Sequence, residues 1–80
     1  MAAGDKGFLI KVKGVITCMK TSGGFVYQGT DHGEVLKYNA AAKTVSKLAS
    51  LGSPLRSIEL YGTQLYCGLE NGRLVTVATA

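Results

Sequence analysis

The chain has no tryptophan, one proline, one histidine and two cysteines in 80 residues. A lone histidine, His32, and two cysteines outside any CxxC spacing supply neither a disulfide framework nor a tetrahedral metal set. The five carboxylates are scattered along the chain, so no pair is spaced for acid and base work at one bond. Cys18 has no basic neighbour in sequence to lower its pKa, which makes it a small buried hydrophobe rather than a nucleophile. Gly23 and Gly24 lie between two apolar runs rich in strand formers, whereas a phosphate loop needs a strand followed by a helix. These absences argue against an enzyme, a catalytic residue, a metal and a cofactor.

Long hydrophobic runs are missing as well. No stretch approaches the roughly 20 apolar residues of a membrane span. Residues 1–7 are polar, and the apolar run Phe8, Leu9 and Ile10 is too short for the core of a secretory signal. The expectation is a cytoplasmic or nuclear protein without a membrane partner.

Charge is present but not concentrated. The formal net charge is +4, and the seven lysines, at positions 6, 11, 13, 20, 37, 43 and 47, are interspersed with apolar residues. Alternation such as Ile10, Lys11, Val12 and Lys13 solubilises a strand and discourages edge-to-edge pairing. A nucleic-acid surface calls for a basic stripe interleaved with aromatics, and this distribution disfavours it.

What the chain does have is an internal repeat. Gly29 and Gly68, Gly33 and Gly72, and Tyr27 and Tyr66 are each 39 residues apart. At the same offset Ile16 falls on Leu55, Met19 on Ile58, Gly23 on Gly62, Val26 on Leu65, Asp31 on Glu70, Val35 on Leu74 and Leu36 on Val75. Each copy reads as three strands rich in Val, Ile, Leu, Tyr and Phe and bounded by Gly, Ser, Asn and Asp. They are expected at 16–20, 25–29 and 34–39, and again at 55–60, 64–68 and 73–77. A more polar run, 44–50, fits an outer fourth strand. The segment from Phe8 to Lys13 aligns with 47–52 and so predicts a similar outer strand before the first copy.

A period near 40 residues built of short strands and glycine-containing turns is the pattern of β-propeller blades, each a small antiparallel sheet. With a the innermost strand and d the outermost, the expected fold is all-β. Two four-stranded antiparallel blades run in d-a-b-c order, the first repeat over 7–39 and the second over 44–78, within a single unit of 1–80. The unbroken apolar character of Phe25, Val26 and Tyr27, and of Val35 and Leu36, suits strands b and c covered on both faces. Cys18 and Cys67 fall in different copies and are expected to lie far apart, unbridged, which favours a reducing compartment. The b–c turns, Asp31-His32-Gly33 and Glu70-Asn71-Gly72, are expected to take positive φ at both central positions of a tight hairpin. That assigns His32 to a turn.

Propellers close with about 4–8 blades, so two require completion. A chain of this size buries only a little over half of its unfolded surface. Each open blade face would expose several hundred Å2 of apolar surface, worth on the order of 5–10 kcal/mol at ~25 cal/mol per Å2. The expected partners are therefore other copies forming a ring by self-association, or a larger propeller into which the chain docks.

Residues 26–43, with Gly29, Gly33, Tyr38 and Asn39, resemble the core of a WD-repeat blade: a glycine turn followed by an apolar strand that ends in Trp-Asp. The first strand, from Ile16 to Met19, is similar to the opening strand of such a blade. The sequence around Tyr38, Asn39 and Ala40 also resembles quinoprotein-type blades. Tyr38 and Val77 stand where WD repeats carry tryptophan, and Ala78 replaces the aspartate. The resemblance implies a non-enzymatic scaffold for protein or peptide binding.

On a propeller, function sits on loops and in the central channel. The candidate binding residues are Asp31, His32, Ser53, Arg56, Glu70 and Asn71, on one loop face formed by the d–a loops and the b–c turns. Two other readings are a carbohydrate-binding propeller with aromatic platforms at Tyr27 and Tyr66, and an excised or designed fragment with no evolved ligand.

Overall fold

The computed structural model describes residues 14–79. They form seven strands: β1 (Ile16–Ser22), β2 (Phe25–Thr30), β3 (Glu34–Asn39), β4 (Thr44–Ser50), β5 (Leu55–Tyr61), β6 (Gln64–Leu69) and β7 (Leu74–Ala78). The outer strand expected over residues 8–13, and with it the start of the first repeat, lies outside the described residues.

The strands make two antiparallel sheets, one in the order β1-β2-β3-β4 and one in the order β5-β6-β7. The fold is all-β, with no helix and no closed barrel among the described residues. No helix there is long and apolar enough to cross a membrane. Meandering topology follows from the short loops, because connections of only a few residues can join only antiparallel neighbours. β4 carries Thr44, Ser46, Lys47 and Ser50 and is the solvent-facing edge of the first sheet.

The backbone repeats in register. Cys18 pairs with Gly29 and Lys20 with Tyr27; 39 residues on, Ser57 pairs with Gly68 and Glu59 with Tyr66. Val26 pairs with Tyr38, as Leu65 pairs with Val77. Even the irregularity is copied: one extra residue, Thr17 in β1 and Arg56 in β5, bulges out at the same place in each ladder. Such a bulge kinks the strand and raises its local twist.

The sheets pack face to face. Tyr27 and Val35 of the first meet Leu55, Ile58, Leu65, Cys67, Leu69 and Val77 of the second in one buried cluster. Covering a Val- or Leu-sized side chain there contributes about 1.5–3 kcal/mol. β5 lies against β1 and β2, and β4 touches β7. Gly29 allows the closest approach, since a Cβ built on it would lie 2.6 Å from Leu55 Cδ2. Polar groups fasten the rim. Thr17 Oγ1 donates to the Leu55 carbonyl at 2.6 Å, and Lys37 Nζ donates to the Thr79 carbonyl at 2.8 Å while lying over the Phe25 ring.

Three expectations need correction. The two cysteines are not far apart: Cys18 packs against the cluster that contains Cys67, because face-to-face packing sets β1 against β5, the neighbour of β6. Both thiols are free. Burial, with Cys18 adding to it, pushes the Cys67 thiol up to about 11.

The b–c turns do not use positive φ at His32 or Asn71. Only Gly33 (φ 81°) and Gly72 (φ 89°) are left-handed there, and their N–H groups donate to the Thr30 and Leu69 carbonyls. A three-residue loop that ends on a left-handed glycine puts the strain where no Cβ is present.

Burial on both faces holds for β2 and β3 but not for β6, which alternates. Alternation along β6 and β7 directs Leu65, Cys67, Leu69 and Val77 into the cluster and turns Tyr66 and Leu74 outward. Tyr66 and Leu74 are 36% and 70% exposed, whereas their counterparts Tyr27 and Val35 are 5% and 0% exposed. The opposite face of the first sheet buries Gln28, Leu36 and Tyr38 at its centre and exposes Ile16, Met19 and Val45 on its edge strands.

Candidate functional site

The loops at one end of the two sheets form a continuous edge held by backbone hydrogen bonds. Asp31 N–H donates to the Val15 carbonyl at 3.0 Å, and Glu70 N–H donates to the Pro54 carbonyl at 2.9 Å. These are one contact in two copies. Leu51 N–H donates to the Gly33 carbonyl, and a Cβ on Gly33 would meet the Ser53 backbone at 2.8 Å. The loop between β4 and β5 is thus wedged between the two b–c turns. The expected loop face is therefore one surface, and it brings together Asp31, His32, Ser53, Glu70 and Asn71.

Their roles differ. The Asp31 carboxylate accepts from Val15 N–H at 2.8 Å, which ties the b–c turn to the loop before β1. Its counterpart Glu70 faces Pro54, which has no N–H to give. Here Ser53 compensates: its buried hydroxyl accepts from Asn71 N–H at 3.3 Å. Asn71 Oδ1 in turn accepts from Arg73 N–H at 3.1 Å, a short Asx-type closure of the turn. The backbone of this end is pinned while the side chains of His32, Glu70 and Asn71 stay exposed.

His32 Nε2 lies 3.9 Å from Asp31 Oδ1. Both side chains are about half exposed, and water screens the pair. Arg56 stands apart from this edge, as the exposed bulge residue of β5. No cluster of three or more metal-ligating side chains occurs among the described residues, and no enclosed pocket forms among them. What the end offers is a shallow surface carrying an imidazole, an amide and carboxylates of fixed backbone geometry, suited to hydrogen bonding with an extended chain. Tyr27 and Tyr66 do not form paired platforms, since Tyr27 is buried.

Two groups escaped the sequence reading. Thr17 bridges the sheets through its hydroxyl, and the Lys20 ammonium lies 3.1 Å from Glu59 Oε1. The signal for the second was present, because Lys20 and Glu59 occupy one position of the repeat with opposite charge. Comparisons with protein-family models, curated proteins and solved structures find no match for this chain.

Proposed function

We propose that the chain is a non-enzymatic interaction scaffold made of two β-propeller-type blades, resembling divergent WD repeats. In this reading further blades complete it into a ring, and its loop end receives a protein or peptide. The observation that carries the reading is the 39-residue repeat of strand register, bulges included, which sets equivalent loops side by side at one end. The first sheet's four antiparallel strands and the second's three, the counterparts of its first three, support that reading. A repeating scaffold of this kind holds its loops rigidly while leaving their side chains free for recognition. The two free thiols suit a reducing compartment, cytoplasmic or nuclear.

A random-peptide display selection on the immobilised protein tests the loop end. Enriched peptides are expected to lose at least tenfold in affinity for the double variant His32→Ala, Glu70→Lys, with its circular dichroism unchanged. Peptides that bind the variant equally, or no enrichment at all, would overturn the loop end as the binding face.

A further inference from the structure

We infer that the outward face of the second sheet receives strand β1 of a second copy of this chain, in the arrangement by which the first sheet receives β5. This rests on the blade reading above and names the partner and the joint. Within one chain, Leu55 sits on the bare backbone of Gly29, and Tyr27 and Val35 are covered beside it. The same three positions recur in the second sheet as Gly68, Tyr66 and Leu74. There a Cβ on Gly68 would meet nothing but Ser57 Oγ, and Tyr66 and Leu74 are open. The residue equivalent to Leu55 is Ile16, which is exposed together with Met19, the equivalent of Ile58. One chain therefore carries the glycine, tyrosine and leucine of one half of this contact on one outer side, and the β1 residues of the other half on the opposite side.

Charge selects the orientation. Lys20 reaches Glu59 of the next sheet within the chain, and Glu59, whose side chain is 71% exposed, occupies the equivalent position in the second sheet. A second copy stacked in the same sense places its Lys20 against that Glu59, so charges alternate from sheet to sheet. A two-fold symmetric pairing of like faces would instead set Lys20 against Lys20, or Glu59 against Glu59. Head-to-tail stacking is favoured on both counts, and such heterologous contacts close into a ring when the rotation permits. Arg56 then takes the place of Thr17. Where the Thr17 hydroxyl donates to the Leu55 carbonyl, the guanidinium donates to the Ile16 carbonyl of the second copy.

The test uses the full chain. Light scattering is expected to give a mass of several chains for the wild type. Leu74→Lys, which touches nothing in the chain's own core, is expected to weaken association at least tenfold with its circular dichroism unchanged. Ala41→Lys, at the far hairpin tip, is expected to assemble as the wild type does. A second measurement mixes wild type with the double swap Lys20→Glu, Glu59→Lys. The swap keeps its internal ion pair and its own joint, but places like charges at every mixed joint. Native mass spectrometry at low ionic strength is expected to show mixed assemblies several-fold below random statistics. A wild-type monomer at 100 µM in the same run would overturn self-assembly, while the loop-end reading answers to its own peptide test. A wild-type oligomer with Leu74→Lys equally assembled, or with statistical mixing, would overturn this joint and leave the ring standing.

Discussion

The ammonium of Lys20 lies 3.1 Å from the carboxylate of Glu59, and the two residues hold the same place in successive copies of a 39-residue repeat. An exposed pair of this kind is worth about 0–1 kcal/mol. Its importance is directional, because it sets opposite charges at the same position of the two sheets, so that a front-to-back stack alternates in charge from sheet to sheet. The apolar side chains exposed on the strands follow the same division, with Tyr61, Tyr66 and Leu74 on one outer face and Ile16, Met19 and Val45 on the other.

Gly29 and Gly68 are equivalent in sequence and unequal in surroundings. Gly29→Ala forces a Cβ to within 2.6 Å of Leu55 Cδ2 and 2.7 Å of Cys18 Sγ. It is expected to destabilise the fold by about 1–3 kcal/mol. Gly68→Ala meets one hydroxyl that can rotate away, and is expected to cost the single chain under about 1 kcal/mol. Urea unfolding of the two variants side by side, at a concentration where the chain is monomeric, measures the difference.

Thr17 Oγ1 joins the sheets through the Leu55 carbonyl. Thr17→Val keeps the shape and removes the donor, with an expected loss of about 1 kcal/mol. A drop of about 4–8 °C in melting temperature would accompany it for a domain of this size. Thr17→Ser retains the hydroxyl and is expected to recover most of the loss in the same thermal scan.

Asp31 and Glu70 provide a second unequal pair. Asp31→Ala removes the acceptor of Val15 N–H and is expected to cost about 0.5–1.5 kcal/mol. Glu70→Ala removes an exposed carboxylate for which the counterpart of the Val15 N–H would be that of Pro54, which has none to give, and is expected to be nearly neutral. Faster amide exchange at Val15 in Asp31→Ala, with the amides of Ser53 and Leu55 unaffected in Glu70→Ala, would mark the cause.

Cys67 makes stability depend on alkaline pH. Its thiol is pushed up from 9.0 to about 11 by burial first and by Cys18 second, so the folded state holds its proton more tightly than the unfolded one. That contribution is fully present below pH 9 and is lost as pH rises from 9 to 11. Denaturation midpoints are expected to fall across that window, and Cys67→Ala is expected to flatten the fall. The buried thiol should also react with a disulfide reagent at pH 8 more slowly than Cys18.

Much of the fold was legible because strand pairing repeats with the sequence. The alternation of Val, Leu and Tyr with Gly-bounded turns located all seven described strands, with ends shifted by up to two residues. The joining of b–c turns and d–a loops into one end followed from the same offset. The turn conformation at His32 and Asn71 was misread, since a dipeptide before glycine fits either of two loop geometries. What decides between them is where the hydrogen bond closes, and Gly33 N–H closes it on the Thr30 carbonyl. The separation of Cys18 from Cys67 was misread because distance along a repeat says nothing about distance between stacked faces.

By itself the sequence determined the all-β character, the two copies and the loop end, since period, turn residues and apolar runs act locally along the chain. Only the tertiary structure decided which faces meet. Tyr27 and Tyr66, or Val35 and Leu74, are indistinguishable by pattern, yet one of each pair is covered and the other open. Stacking covers the face of the first sheet that carries Tyr27 and Val35 and leaves open the face of the second that carries Tyr66 and Leu74, and no local property of a residue records on which side its neighbour stands.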